Sequence, residues 1–210
     1  MLYPPVCGFC GEINEDFLCK KCSLEYENLK ISKIQEYNKK IYFFSEHFYL
    51  FEYKDIIRDL LIKYKFGDNS YLYKTISKIL VEDKKFSEEF IKKYDYIVSV
   101  PIHSKRMHQR GYNQSKLIAK EIAKLTQKKY IDKVLIKIKN VEAQSSLNRI
   151  SRIQNIKGVF ELGKNSRILE GKNILIVDDI YTTGATVNEC AKILRKAGVV
   201  NIGICTVAKD

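Results

Sequence analysis

The sequence predicts an α/β protein in which a parallel sheet is flanked by helices and preceded by a small four-cysteine knuckle. Short apolar segments alternate with helical segments over the second half of the chain, which is typical of parallel strands that are buried on both faces. Two C-x-x-C pairs lie within residues 1–22, and the composition changes directly after them. A length of 210 residues fits one main domain with a short appendage. We therefore expect a knuckle over residues 1–24 and a sheet domain over residues 25–210.

The composition is that of a globular protein, with 45% apolar and 30% charged residues, and it argues against disordered, collagen-like and coiled-coil chains. The chain contains no stretch of about 18 apolar residues, so no membrane span is predicted. Residues 1–7 lack the basic and apolar regions of a signal peptide. We therefore expect a cytoplasmic protein without membrane insertion. In a reducing compartment, closely spaced cysteines bind metal or do redox chemistry more often than they form structural disulfides.

The net charge of +12 favours polyanionic partners such as nucleic acid or phosphorylated ligands. Lysines account for most of the 37 basic residues and are scattered, which is typical of a solvated surface. Arginine is more informative because its planar guanidinium is the preferred partner of phosphate. Four of the seven arginines lie between Arg106 and Arg152, so this segment is the better candidate for anion binding.

The N-terminal knuckle contains Cys7, Cys10, Cys19 and Cys22 as two C-x-x-C pairs. Two residues between cysteines allow one tight turn to direct both sulfur atoms at one ion, and four thiolates form a closed tetrahedral zinc site. The segment is too short for a core of its own, so metal binding would supply its folding energy. A redox role for a C-x-x-C pair is the alternative. We expect structural zinc, because four thiolates leave no open position for catalysis.

Two segments follow the knuckle before the regular alternation begins. Ser23–Lys40 has the charged, amphipathic pattern of a helix, and Ile41–Tyr53 has the aromatic, β-rich content of a strand or hairpin. The aromatic residues of the second segment either pack against the main domain or, beside lysines, stack on nucleic acid bases.

Helices and strands then alternate along the rest of the chain. A helix at Asp55–Tyr64 places Ile56, Leu60 and Tyr64 on one side. The later elements are a turn at Lys65–Asp68, a helix at Ser70–Val81, a strand at Tyr96–Val100, a helix at Asn113–Thr126, strands at Val134–Ile138 and Asn173–Val177, a helix at Thr186–Ala197 and a strand at Ile202–Val207. This order predicts a doubly wound sheet that is covered on both faces.

The strongest functional signal follows the strand at Asn173–Val177, where Asp178 and Asp179 precede a small polar loop at Thr182–Thr186. In open α/β sheets, ligands bind beyond the carboxyl ends of the strands. The threonine hydroxyls, the N–H groups at a helix start and a glycine at position 184 suit this loop to a phosphate monoester. The two carboxylates suit sugar hydroxyls or Mg²⁺. An ordinary turn capped by Thr186 would leave their mutual repulsion unexplained.

Four segments of the chain, taken in order, match a known pattern. The stretch Val177–Thr186 resembles the phosphoribosyl pyrophosphate (PRPP) signature of type I phosphoribosyltransferases, in which two acidic residues separate an apolar strand from a Thr-Thr-Gly-x-Thr loop. The paired N-terminal cysteines are another of the four segments and come first in the chain. The other two segments are Ser99–His103 with Arg106 and Arg110–Gln114, and Gln144 with Arg152, Asn155 and Gly158–Phe160. Together they resemble the ComF family, phosphoribosyltransferase-like proteins that are linked to natural competence.

The resemblance implies a type I phosphoribosyltransferase-like sheet of about five strands with its ligand at the strand ends, and a small hood contributed mainly by residues 25–75. PRPP would bind there with Mg²⁺. Asp178 and Asp179 would take the ribose hydroxyls and the Mg²⁺ region, and Thr182–Thr186 the 5′-phosphate. The loop after Val100 would face the pyrophosphate, with His103 either a ligand or a packed loop residue. The catalytic residues implied are Asp178, Asp179, Arg106 and Arg152. The PRPP-binding residues implied are Pro101, His103, Lys105, Arg106, Arg110, Asp178, Asp179, Tyr181, Thr182, Thr183, Gly184, Ala185 and Thr186.

Any transfer reaction would displace pyrophosphate from C1 of PRPP by a nitrogen nucleophile, without a covalent enzyme intermediate. The polar segment Asn140–Lys157, which carries Arg149 and Arg152, is expected to close over the ligand as a mobile loop. Cys190 and Cys205 are then expected in the core rather than in catalysis.

The family link implies a role in handling incoming single-stranded DNA in the cytosol during natural transformation, with competence-machinery proteins as further partners. The knuckle, the aromatic segment and the net charge are compatible with it. The alternative is a metabolic phosphoribosyltransferase that acts on a small nitrogen base or amine. A third hypothesis is a regulator that senses PRPP and binds nucleic acid. The sequence identifies no acceptor pocket.

Overall fold

The computed structural model describes residues 6–66, 69–141 and 155–210. The strands are β1 (Lys33–Glu36), β2 (Glu46–Glu52), β3 (Tyr96–Ser99), β4 (Lys129–Tyr130), β5 (Leu135–Lys137), β6 (Phe160–Leu162), β7 (Asn173–Tyr181) and β8 (Asn201–Lys209). The helices are α1 (Lys20–Leu29), α2 (Asp55–Phe66), α3 (Leu72–Glu82), α4 (Ser104–Arg110), α5 (Gln114–Leu125) and α6 (Ala185–Arg195). Shorter helical turns lie at Lys85–Phe90, Ile91–Lys93 and Ser166–Leu169.

Six of the strands form one sheet in the order β1-β2-β8-β7-β3-β4, and β5 pairs with β6 in a separate two-stranded sheet. Neighbouring strands of the large sheet run parallel, except that β1 is antiparallel to β2. The predicted parallel sheet with flanking helices is confirmed, with one more strand than the family resemblance implies. The carboxyl ends of β3, β7 and β8 therefore meet at the same edge of the sheet.

Both faces of the sheet are buried. Leu175 and Val177 of β7 belong to a core that includes residues of α2, α3 and α5, whereas Ile174 and Ile176 belong to a second core with α6 and the β5–β6 pair. This alternation explains why β7 is a continuous apolar run in the sequence rather than a strand with one polar face.

The segment after the knuckle differs from the prediction. A single helix over Ser23–Lys40 is wrong, because α1 ends at Leu29 and its C-cap, Lys30, is extended and leads into β1. The aromatic strand at Ile41–Tyr53 is real as β2, but it is a member of the main sheet beside β8. Propensity within the segment could not reveal this placement, because β2 pairs with residues more than 150 positions away.

Burial decides most of the aromatic residues of this segment in favour of packing. Phe44, Phe48 and Phe51 are 2% exposed or less, so they cannot stack on a ligand. Tyr42 is half-buried and remains accessible. In α2 the buried positions include Ile57 rather than Ile56, which is exposed.

Three further differences concern the later elements. β7 continues to Tyr181, so Asp178 and Asp179 lie inside the strand rather than after it. The predicted strand at Val134–Ile138 exists as β5 but lies outside the main sheet. Helix α4 and the short strands β4 and β6 were not predicted, because none is long enough to show a period.

None of the helices in the described ranges has the length and the apolar stretch that crossing a bilayer requires.

Candidate functional site

The acidic pair of β7 lies at the carboxyl edge of the sheet, where helices converge. Asp179 is 7% exposed and Asp178 is half-buried. Asp178 Oδ1 accepts hydrogen bonds from Ser115 Oγ at 2.7 Å and from the backbone N–H of Asp179 at 3.0 Å. Burial and the adjacent charge of Asp179 raise the pKa of Asp178 to about 7. A cation or hydroxyl donors would relieve the repulsion between two adjacent carboxylates, so the donor set fits Mg²⁺.

Lys65 supplies a cation to this pair and was not among the predicted site residues. Its Nζ atom lies 3.0 Å from Asp179 Oδ2, and both side chains are largely buried. The charge of Lys65 also acts to lower the pKa of Asp178. No sequence pattern predicts this contact, because a lysine in the last turn of a helix is an ordinary complement to the helix dipole.

The start of α5 fixes the end of α2 and thereby positions Lys65. The hydroxyl of Tyr64 donates to the carbonyl of Gln114 at 2.8 Å, and Gln114 Nε2 donates to the carbonyl of Lys65 at 3.4 Å. The hydroxyl of Tyr112 donates to the carbonyl of Tyr64. Part of the Arg110–Gln114 block thus has a structural role: it holds a lysine from the N-terminal half beside the acidic pair.

The loop after β7 is shaped by a close contact between a tyrosine and a glycine. Gly184 has a φ of 75° and precedes the first turn of α6. A Cβ atom at this position would lie 2.2 Å from the hydroxyl oxygen of Tyr181. Tyr181 is itself buried and stacks on His47, with ring centroids 4.4 Å apart. Both the backbone conformation and the space therefore require glycine here.

The polar groups of the same loop surround the start of α6. Thr182 is exposed, and Thr183, Ala185 and Thr186 are half-buried. Thr183 Oγ1 accepts a weak hydrogen bond from the backbone N–H of Ala185 at 3.4 Å. Three hydroxyls and the N–H groups of a helix start thus share one loop, which is the usual arrangement for binding a phosphate group.

The loop after β3 runs into α4. His103 is the N-cap of this helix, and its Nδ1 atom accepts a hydrogen bond from the backbone N–H of Lys105 at 3.2 Å. This contact gives His103 a structural role in the described state. Pro101 lines a pocket of about 170 Å³ at the carboxyl end of β3, and Lys105 is exposed.

Three further basic side chains act electrostatically on one another or on the acidic pair. Burial and the nearby charge of Arg106 lower the pKa of Arg110 and of Lys137. The charge of Asp179 opposes the shift at Arg110, and that of Asp178 opposes it at Lys137. Lys137 was not predicted, because β5 gave no indication that it approaches the carboxyl edge of the sheet.

The remaining predicted residues of this site lie outside the described residues. They are Gln144, Arg149 and Arg152, together with most of the Asn140–Lys157 segment that is expected to close over the ligand.

The four N-terminal cysteines come together as predicted. The Sγ atoms of Cys7, Cys10, Cys19 and Cys22 all lie within 4.8 Å of one another. The sulfur atoms of Cys10 and Cys19 are 3.8 Å apart, which matches the edge of about 3.8 Å in a tetrahedron with zinc–sulfur bonds of about 2.3 Å. The four-sulfur donor set therefore fits a tetrahedral metal ion.

The knuckle is docked on α3. The hydroxyl of Thr75 donates to the carbonyl of Phe17 at 2.8 Å, and Lys78 forms an ion pair with Asp16. A Cβ atom on Gly8 would lie 2.4 Å from Thr75 Oγ1, so the two surfaces are in tight contact. Two of the metal-site cysteines, Cys7 and Cys22, also belong to the core that contains Tyr26.

The two other cysteines, Cys190 and Cys205, are fully buried and belong to the cores on either side of the sheet. Burial raises the pKa of both thiols, which keeps them protonated and unreactive. Their predicted core position is confirmed.

Comparison with known proteins agrees with this architecture. The family described as phosphoribosyl transferase domain matches residues 109–210. The chain is 26% identical to Competence protein F of Haemophilus influenzae over 98% of this chain and 85% of that protein. It is also 26% identical to Competence protein ComFC of Bacillus subtilis, over 92% of this chain and 72% of that protein. With Competence protein ComFC of Streptococcus pneumoniae the identity is 32%, over 74% of this chain and 64% of the relative.

The first two relatives align with more than 90% of the chain, the phosphoribosyltransferase domain includes β7, β8 and α6, and the cysteine cluster precedes it. The chain is therefore similar to the competence proteins of the ComF family over most of its length, and it carries a phosphoribosyltransferase domain in its second half.

Proposed function

We propose that this protein binds PRPP together with Mg²⁺ at the carboxyl ends of β3 and β7, and that it acts in natural transformation by handling incoming single-stranded DNA in the cytoplasm. One observation carries the first half of the proposal. The acidic pair and the threonine-glycine loop share a single strand end, where the positive charges of Lys65 and Arg110 face the carboxylates. The names of the competence proteins to which the chain is similar support the second half.

The proposed roles follow the chemistry of each group. Asp178 and Asp179 accept hydrogen bonds from the ribose hydroxyls and hold the Mg²⁺ region. The loop from Thr182 to Thr186 takes the 5′-phosphate. Arg106 and Arg110 offer guanidinium groups to the pyrophosphate. Bound Mg²⁺ would offset charge on the pyrophosphate.

The cysteine cluster is proposed to bind structural zinc. The four sulfur donors form a closed set, so the metal stabilises the knuckle over residues 1–24. Because the knuckle docks on α3, the metal also stabilises its contact with the sheet domain. The PRPP site is the same whether the protein transfers the phosphoribosyl group to a small metabolic base or has no acceptor at all.

Titration calorimetry of PRPP with and without Mg²⁺ tests the site. Wild-type protein is expected to bind PRPP in a Mg²⁺-dependent manner, and Asp178→Asn and Asp179→Asn to lose that binding while keeping the fold. Asp59→Asn, an exposed residue of α2, is the matched control. Unchanged PRPP affinity in both site variants would disprove the assignment of the acidic pair.

The salt dependence of oligonucleotide binding tests the proposed handling of single-stranded DNA. A single-strand binder loses affinity steeply as salt rises, because phosphate contacts release counterions. Two results together would favour a metabolic phosphoribosyltransferase instead. The protein would bind no oligonucleotide at physiological salt, and it would turn over PRPP in the presence of a small base or amine.

A further inference from the structure

A second pocket lies beside the threonine loop, on the side of β8 and β1. Its volume is about 350 Å³, near the lower end of the range of about 300–1,000 Å³ for small-molecule pockets. The lining residues include Gln35, Tyr37, Tyr42, Tyr181, Lys209 and Asp210, together with the start of the threonine loop. It is distinct from the acidic pair, which does not line it.

Aromatic rings form the apolar part of this pocket, which we call the tyrosine pocket. The rings of Tyr37 and Tyr42 meet edge to face, with centroids 4.8 Å apart and an interplanar angle of 80°. The ring of Tyr181 lies 6.1 Å from that of Tyr37. Tyr37 and Tyr42 both line the pocket and are half-buried, so neither residue is fully enclosed by the protein. Such rings offer stacking surfaces to a flat aromatic ligand.

The segment that carries Tyr42 is held in place before any ligand arrives. The backbone N–H of Phe43 donates to Asn188 Oδ1 at 2.9 Å, and Arg195 Nε donates to the carbonyl of Phe43 at 3.1 Å. Both partners lie on α6. Because the segment is already ordered, a ligand does not have to order it, and the cost of binding is smaller.

Polar groups complete the lining. Lys209 Nζ donates to Gln35 Oε1 at 2.6 Å and lies 5.9 Å from the centre of the Tyr181 ring. The side chains of Gln35, Lys209 and Asp210 together provide both donors and acceptors around the rings. A nucleobase has the matching chemistry, with a flat aromatic face and donors and acceptors along its edge.

The charge of the whole chain favours a ligand with phosphate attached. Within the pocket, Lys209 and Asp210 offset each other, and the exposed Thr182 adds a hydroxyl to the wall, so the attraction to phosphate comes from the net charge of +12. A single-stranded nucleic acid combines bases that stack with a backbone that is attracted to such charge.

We propose that the tyrosine pocket binds the nucleobase of a nucleotide by stacking on Tyr42 and Tyr37, and that this nucleotide belongs to a single-stranded nucleic acid. The inference rests on the proposed role in handling single strands. It adds a site for one base, separate from the acidic pair, and it assigns a function to the accessible part of the aromatic segment. A free mononucleotide has the same chemistry and is the other source to be tested.

The test measures fluorescence anisotropy of a labelled twelve-residue oligothymidylate and calorimetry of thymidine monophosphate. The proteins are wild type, Tyr42→Ala and Tyr42→Phe. Tyr71→Ala is the matched control, because Tyr71 is a partly exposed tyrosine at the start of α3, outside the pocket. PRPP affinity is measured on each preparation, and thermal unfolding confirms that each variant folds.

Stacking of one base predicts that Tyr42→Ala weakens oligothymidylate binding by about tenfold. Tyr42→Phe keeps most of the affinity, and Tyr71→Ala and the PRPP affinity do not change. Dependence on Tyr42 for the monophosphate, with no binding of the strand, would assign the pocket to a free nucleotide and overturn the proposed source.

If wild type and Tyr42→Ala bind each ligand with the same affinity, the assignment of the tyrosine pocket as a base-binding site is overturned. The proposed function stays intact in that case if wild type binds the strand. Absence of strand binding by wild type, by contrast, contradicts the proposed handling of DNA, whereas the PRPP titration decides the PRPP site independently.

Discussion

The ammonium group of Lys65 lies 3.0 Å from the carboxylate of Asp179 and joins the N-terminal half of the chain to the acidic pair of β7. The pair would otherwise present two adjacent carboxylates in a largely buried position, where their repulsion is costly. Lys65 offsets part of this repulsion while leaving Asp178 with a raised pKa. Binding of a divalent cation would therefore offset the repulsion between the two carboxylates that Lys65 leaves.

The first prediction concerns this ion pair. Lys65→Met is expected to lower the free energy of unfolding by about 1–3 kcal/mol, between the values for exposed and fully buried ion pairs, because the largely buried Asp179 loses its partner while Lys65 is partly exposed. Urea denaturation measures the change. Lys63→Met, an exposed lysine two residues earlier in the same helix, is the control and should stay near the wild-type value. Equal stability of the two variants would show that Lys65 contributes nothing to holding the pair.

The second prediction concerns Gly184. Gly184→Ala combines a positive φ with a collision against Tyr181, whereas Gly171→Ala has a similar φ of 71° and open space around its Cβ. The strain alone costs about 1–2 kcal/mol, so Gly184→Ala should destabilise the protein more than Gly171→Ala and also weaken PRPP binding. Thermal unfolding and calorimetry measure both effects. A similar loss in the two variants, with PRPP binding retained, would contradict the role of the Tyr181 contact.

The third prediction concerns His47, whose Nε2 atom lies 2.7 Å from Thr206 Oγ1 and whose Nδ1 atom has no partner among the described residues. Burial, with a smaller effect of Lys209, lowers the pKa of His47 to about 3 from 6.5. The unfolded chain therefore takes up a proton at a higher pH than the folded protein. The stabilisation is fully present above about pH 6.5 and is lost as the pH falls towards 3.

Between pH 7 and pH 5, His47 should remove about 2 kcal/mol of stability. The variant His47→Gln should lose less over the same interval, whatever its stability at pH 7. His108→Gln is the control, because His108 is exposed. Parallel pH profiles for wild type and His47→Gln would refute the burial argument.

The fourth prediction concerns the cysteine cluster. Purified protein should contain one zinc ion per chain by elemental analysis, and Cys7→Ser and Cys22→Ser should lose it. Because Cys7 and Cys22 also belong to the core beneath α3, metal loss should lower the melting temperature of the whole chain. Cys205→Ser, a buried cysteine outside the cluster, should keep its zinc. Metal-free protein with an oxidisable cysteine pair would favour redox chemistry.

The sequence predicted the parts of the fold that depend on local patterns. The continuous apolar run of β7, the helical periods of α2, α3, α5 and α6, and the spacing of the cysteines each identify an element without knowledge of its neighbours. Contacts between distant segments were not accessible in this way. The register of β2 on β8 and the approach of Lys65 to Asp179 depend on how whole elements pack.

The same distinction applies to the candidate site. Asp178, Asp179 and the glycine loop could be recognised because they are contiguous in the chain. Lys65, Ser115 and Lys137 could not, because each is an ordinary residue of a helix or strand until the fold places it near the carboxylates.

The pairing of β2 with β8 also constrains how the chain folds. Glu46 pairs with Gly203, and β8 follows every other strand of the sheet in the sequence. During synthesis, β2 therefore waits without its parallel neighbour until nearly the whole chain has been made. Contacts of such long sequence separation slow folding. Until β8 is available, β2 can pair with β1 on one side only, and its open edge is exposed to aggregation. The cysteine knuckle, whose four cysteines all lie within residues 7–22, can form long before that point, and it would give the early chain one ordered element.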